Sequence, residues 1–244
     1  MSLKLGLNLT KYHSINFDLP KRNKKKIIYI ILHYTGMKKE ARAIERLCDF
    51  KSKVSSHYFV KNNGKVLNLI PDLYTAWHAG DSKWKKFKSL NNYSIGIEIS
   101  NPGHDHGYKK FSSKQILSII KLLRYLIRKY KIEKQNILGH SDIAPNRKKD
   151  PGEKFPWSKL AKKNLCKWHN LCEDKIRENR NLKLKINDEK VFLSNLYKIG
   201  YPIIKNNNEK INLTKAFQRR FRQSLINGKI DQECLLISKN LINF

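Results

Sequence analysis

Apolar positions recur along this chain in two periods, and the change from one to the other divides it. Residues 27–32 (IIYIIL) form an unbroken, largely β-branched run, the pattern of a strand buried on both faces, and Tyr34-Thr35-Gly36 turns it outward. Residues 39–50 place Ala41, Ile44, Leu47 and Cys48 at helical spacing. Two short β-rich runs, 55–60 and 65–70, flank Asn62-Asn63-Gly64, which is a hairpin signal. Residues 94–99 (SIGIEI) alternate as a half-buried strand does, and 136–138 (NIL) reads as another short strand. The clearest helix is 112–130. Ser112 or Ser113 can cap it, and Ile116, Leu117, Ile119, Ile120, Leu123, Ile127 and Tyr130 share a broad face.

Beyond Trp157 no strand pattern returns. Residues 161–187 read as a charged helical connector, and 188–244 as three helices at 189–199, 213–225 and 231–241. Strand-like runs interleaved with helical ones, then helices alone, predict an α/β fold: a central mixed β-sheet flanked by helices, followed by a small three-helix domain. The expected divisions are an extended arm at 1–26, a sheet domain at 27–160, the connector and the helical module. Three helices of this size make a marginal core and should lean on the sheet domain.

The candidate chemistry centres on residues 139–152, GHSDIAPNRKKDPG. Pro145 lacks an N–H and restricts its predecessor, and Asp150-Pro151-Gly152 breaks the chain again, so 140–150 is expected to be a rigid irregular loop. It carries His140 and Asp150, a neutral imidazole and a carboxylate. These are two of the three protein ligands that a catalytic zinc takes while keeping its fourth position for water. The third should be a histidine on another strand. Among the eight histidines the best placed is His33, at the end of the 27–32 run. His57, at the start of the hairpin, reads as structural or as pocket wall.

The motifs ILHYTG around His33, SHYFV around His57, WHAG around His78, SIGIEI around Glu98 and GHSDIAPNRKKDPG resemble N-acetylmuramoyl-L-alanine amidases of the zinc type, in the AmpD/AmiD branch. The likeness spans roughly 27–160, with the motifs in the right order. It implies one zinc held by His33, His140 and Asp150. It also implies Glu98 as general base and Lys148 as the cation that steadies the oxyanion. Arg147 is expected to hold a stem-peptide carboxylate and His78 to line the substrate pocket. The implied reaction is hydrolysis of the amide between N-acetylmuramic acid and L-alanine, on peptidoglycan or anhydro-muropeptides. The pieces 196–201 and 214–221 resemble a peptidoglycan-binding three-helix module. They depart from it at Asn208-Glu209-Lys210-Ile211, where an acidic-glycine turn normally precedes the second helix. Trp84, Phe87 and the lysines between them could line a sugar cleft or face solvent.

Composition narrows the partners. Fifty-one Lys and Arg against twenty Asp and Glu give +31, which favours anionic partners. The basic residues are spread along the chain and no nucleic-acid motif accompanies them, so no specific nucleic acid is expected. A basic nucleic-acid binder and a recognition module without activity are the rival readings. Cys48, Cys166, Cys172 and Cys234 form no CxxC pair and are expected to be free thiols. No run approaches the ~18 apolar residues of a membrane span. The first twenty residues lack the apolar core of a signal peptide, so a cytoplasmic monomer is expected, with export by an unrecognised route as the alternative.

Overall fold

A computed structural model describes residues 12–180 and 182–243. The strands are β1 (Phe17–Asp18), β2 (Tyr29–Tyr34), β3 (Tyr58–Val60), β4 (Val66–Asn68), β5 (Thr75–Ala76), β6 (Lys83–Trp84), β7 (Phe87–Lys88), β8 (Ser94–Ile99) and β9 (Ile137–Gly139). The helices are α1 (Glu40–Cys48), α2 (Ser113–Tyr130), α3 (His140–Ile143), α4 (Trp157–Ala161), α5 (Glu173–Arg177), α6 (Asp188–Ile199), α7 (Asn207–Phe221) and α8 (Gln232–Ile242). Five strands form the central sheet in the order β4-β3-β8-β2-β9. All neighbours are parallel except the β3–β4 hairpin, so the sheet is mixed, as the pattern predicts.

Side-chain alternation gives each face of this sheet its own cover. Ile30 and Leu32 of β2, with Ile95, Ile97 and Ile99 of β8, pack against Ile116, Ile119, Leu123 and Leu126 of α2. A reciprocal capping box starts α2: Ser112 Oγ accepts from the Gln115 N–H while the Gln115 side chain accepts from the Ser112 N–H. Leu117, which the periodicity places on the apolar face, is exposed. On the opposite face Tyr29, Ile31 and Leu138 meet Phe192, Leu196 and Phe217 of the C-terminal helices. Further along the same face, Phe59 and Leu67 meet Ala43, Ile44 and Leu47 of α1. Between these two apolar clusters the sheet presents polar side chains, among them His33 and Glu98.

Four expectations change. The segment after Gly139 is not wholly irregular: α3 is one helical turn, closed by the Asp142 carboxylate accepting the Gly139 N–H at 2.8 Å. Pro145 constrains only Ala144 before it, which leaves 140–143 free to coil. Helix α7 begins at Asn207 rather than 213, because the Asn206 side chain accepts the Glu209 N–H and caps a turn with little apolar signal. It ends at Phe221 rather than 225, where Arg222 turns away to pair with Asp231. Of the expected N-terminal arm, residues 1–11 lie outside the described residues. The rest packs: Ser14, Asn16 and Arg22 are buried, and β1 pairs with β5. The connector is also packed, with Leu165 and Cys166 in the α2-side core and Ile176 in the other. All four cysteines are free. Among the described residues no helix is long and apolar enough to cross a membrane.

Candidate metal centre

His33 leaves the fifth position of β2, and its in-register partner on β8 is Glu98, so both side chains leave the same face of the sheet. His140 is the first residue of α3, immediately after β9. Asp150 returns to it because the Ser141 N–H donates to the Asp150 carbonyl at 2.9 Å. Three atoms converge as a result. His33 Nδ1 lies 2.9 Å from His140 Nδ1 and 3.1 Å from Asp150 Oδ2, and His140 Nδ1 lies 3.0 Å from the same oxygen. All three residues are buried, and they are the sole such group among the described residues.

Their outer contacts decide whether these atoms can bind a cation. The Leu90 carbonyl can only accept, so Ser94 Oγ donates to it at 2.6 Å. Ser94 Oγ then accepts from His78 Nε2, 3.2 Å away, leaving His78 Nδ1 to accept from His33 Nε2 at 3.0 Å. The His33 ring proton is therefore on Nε2 and its Nδ1 is bare. His140 reaches the same state directly, since its Nε2 faces the Ala79 carbonyl at 3.1 Å. Burial, and next the neighbouring His140, pull the His33 imidazole down to about 4, so it is neutral near pH 7. Two bare imidazole nitrogens and a carboxylate oxygen crowded together repel unless a cation lies among them. The donor set fits zinc.

The ligand group opens into a cavity of about 500 Å³ whose walls include Glu98, Lys148, Arg46, Trp77, Tyr34 and Asp105. Glu98 Oε2 is buried and has no hydrogen-bond partner among the described residues. Burial, then the Asp150 charge, push its carboxyl up to about 8. A cation among the ligands would draw it back down. Lys148 is half-buried, unlike its exposed neighbours Arg147 and Lys149, and its ammonium makes no hydrogen bond or ion pair among the described residues. The cavity can thus bring together a polarised water, a proton acceptor and a free cation.

The other sequence candidates stand around this group. His78 lines the cavity as expected, and both its ring nitrogens are engaged, by His33 and Ser94, so it also orients the His33 ring. Its ring lies over Gly96, where a Cβ would come within 2.4 Å of it, which explains the glycine inside SIGIEI. Arg147 also lines the cavity, and through Nε and Nη2 its guanidinium donates to the carbonyls of Ala79 and Asp81, bracing the loop. His57 is fully buried between the Gly96 N–H and the Tyr74 carbonyl, the structural role expected. Trp84 lines no cleft near the ligands; it is buried against Tyr201, ring centroids 4.8 Å apart. Arg46 and Asp105 escaped the sequence reading. They stand among many charged residues with nothing local to set them apart.

An α/β scaffold that opens a three-ligand, cation-ready group toward a cleft holding a carboxylate and a free ammonium has the make-up of a metal-dependent amide hydrolase. The chain belongs to the N-acetylmuramoyl-L-alanine amidase family, whose profile matches residues 23–153. N-acetylmuramoyl-L-alanine amidase AmiD of Escherichia coli K12 is 34% identical over 235 residues, 89% of this chain and 83% of that protein. The solved complex of E. coli AmiD with the substrate anhydro-N-acetylmuramic acid-L-Ala-D-gamma-Glu-L-Lys superposes with a TM-score of 0.80 at 31% identity, covering 93% of this chain and 92% of that one. AmpDh3 of Pseudomonas aeruginosa, solved with anhydromuramic pentapeptide, gives a TM-score of 0.78 at 27% identity, covering 98% of both chains. The similarity therefore runs on through the C-terminal helices.

Proposed function

We propose that this amidase is zinc-dependent and acts on muropeptides carrying the 1,6-anhydro sugar, with His33, His140 and Asp150 as ligands, Glu98 as general base and Lys148 as oxyanion donor. The observation that carries this reading is the shared cleft, where three bare ligand atoms, an unpartnered carboxylate oxygen and an unpaired ammonium face one space. Zinc bound there would supply a water acidic enough to ionise near neutral pH and a Lewis acid for the scissile carbonyl. Glu98 takes the proton of the attacking water and carries it to the leaving amine nitrogen of L-alanine. Lys148 donates to the carbonyl oxygen as negative charge gathers on it, and so favours the tetrahedral state over the planar amide. His78 and the Ala79 carbonyl hold the two ligand rings in the required tautomers throughout.

The anhydro-sugar preference is supported by the AmiD and AmpDh3 complexes, both solved with anhydromuramyl peptides. The cavity volume, about 500 Å³, suits a small ligand, and the cations Arg46, Lys148 and Lys149 on its walls suit an acidic peptide. Side-by-side digestion of anhydro-muropeptides and intact sacculi, with and without a chelator, tests the reading by product mass. Release of free peptide from the anhydro-muropeptide, lost with chelator and restored by zinc, is expected. Undiminished cleavage after the metal is stripped would end the zinc assignment, and faster cleavage of sacculi would end the substrate assignment.

A further inference from the structure

The C-terminal helices reach the ligand loop through buried polar contacts as well as apolar packing. Arg220 of α7 is 3% exposed; its guanidinium donates to Asp142 Oδ2 at 2.8 Å and to the Ile137 carbonyl at 2.9 Å, and stacks 4.1 Å over the Trp157 ring. The hydroxyl of Tyr201, in the turn before α7, donates to the other Asp142 oxygen at 2.8 Å. Asp142 stands two residues after the ligand His140 and also takes the Gly139 N–H. Two residues beyond α7, the Gln223 amide donates to the carbonyls of Glu153 and Phe155, at 2.7 and 2.6 Å. These lie three and five residues after the ligand Asp150.

The loop carrying His140, Lys148 and Asp150 is therefore gripped on both sides of its ligands by residues 201–223. None of the gripping side chains lines the cavity. We propose that Tyr201, Arg220 and Gln223 are positioning residues of the metal centre, and that the C-terminal helical region presets the ligand loop rather than serving only as a separable attachment. The physical reason is direct. A loop of this length has many conformations, and one sheet strand fixes only its start. The buried Arg220–Asp142 pair and the paired Gln223 contacts remove that freedom before a cation arrives, so less ordering opposes binding.

This inference rests on His33, His140 and Asp150 being the ligands, and the experiment separates the two. Zinc affinity of the full-length apoprotein is measured by competition with a chromophoric chelator for wild type, Arg220→Gln, Tyr201→Phe and Gln223→Ala. The comparison variant is Asn195→Ala, which removes a buried hydrogen bond to Ser238 inside the C-terminal bundle. Amide hydrogen exchange of 139–153 is followed in the same metal-free proteins. The clamp variants should bind zinc about 10- to 100-fold more weakly, the range for outer supports of metal ligands, and exchange faster across the loop. Asn195→Ala should lower the melting temperature while leaving both readouts at wild-type values. If Arg220→Gln does not fold, Tyr201→Phe and Gln223→Ala decide alone. Wild-type zinc affinity and loop exchange in the folded clamp variants would overturn the proposal, as would equal losses in Asn195→Ala. Failure of the wild type to bind zinc would instead remove the ligand assignment, and the exchange comparison would still report on the clamp.

Discussion

The two halves of the site are held in different ways. His33 and Glu98 sit on adjacent parallel strands, each fixed by the sheet's own backbone ladder. His140, Lys148 and Asp150 sit on a short helix and a loop, held by Asp142 and Arg147 of the loop itself and by Tyr201, Arg220 and Gln223 from a distant part of the chain. A strand positions a residue with bonds that every sequence possesses. A loop must import its rigidity, and here the imports are a buried ion pair, Arg220–Asp142, with hydrogen bonds from Tyr201 and Gln223. Breaking such a buried pair by removing one partner typically costs ~3–5 kcal/mol, so the loop half is the more vulnerable to change at a distance.

The largest effect should come from the proposed ligands, one in each half. His33→Ala and His140→Ala should both lose stoichiometric zinc by metal analysis, with circular dichroism keeping the folded spectrum. Retention of zinc in either would show that its half is not the one holding the metal. Next come the proposed base and the proposed oxyanion donor. Glu98→Gln should keep zinc and lose ~10²–10⁴ in kcat, the usual worth of a general base. Lys148→Ala should keep zinc and lose ~10²–10³, with KM little changed, since an oxyanion donor acts in the transition state. A Lys148→Ala enzyme with raised KM and normal kcat would make that residue a ground-state substrate contact.

These residues also show how much could be read from sequence alone. The strand half was legible: an apolar run ending at His33 and an alternating run containing Glu98 give strand, face and order together. The loop half was legible in its residues but not in its support, because Arg220 and Asp142 are 78 positions apart and each resembles any other charged residue locally. The same holds for Arg147, whose neighbourhood suggests a free cation although Ala79 and Asp81 occupy it. The helix at 207–212 was missed because its cap is polar and its first turn has little apolar signal.

A smaller effect would sharpen the comparison on the strand side. Gly96→Ala puts a methyl where the His78 ring lies, so overpacking should cost about 1–3 kcal/mol in denaturant unfolding, and zinc should bind more weakly as His33 loses its support. A neutral Gly96→Ala would mean that His78 can yield without consequence. The smallest effect is in pH. Glu98 in the metal-free protein titrates near 8, above its unfolded value, so the folded state holds more protons between those limits. Its contribution to stability is present below the unfolded value and is lost as pH rises toward 8. His33 works oppositely: its folded value near 4 is depressed, so its contribution grows as pH rises from 4 to the usual histidine range. Apoprotein unfolding should therefore lose part of its downward slope above neutrality in Glu98→Gln, and an unchanged slope would deny the raised carboxyl.

The pairing of His33 with Glu98 across the β2–β8 ladder has one more consequence. Neighbouring strands in any sheet stand about 4.8 Å apart, a spacing set by the peptide group and not by side chains. The offset between a metal ligand and the proposed base is thus inherited from the polypeptide itself. Core residues around them could be exchanged wholesale, and the sheet would still hand the next chain the same ruler.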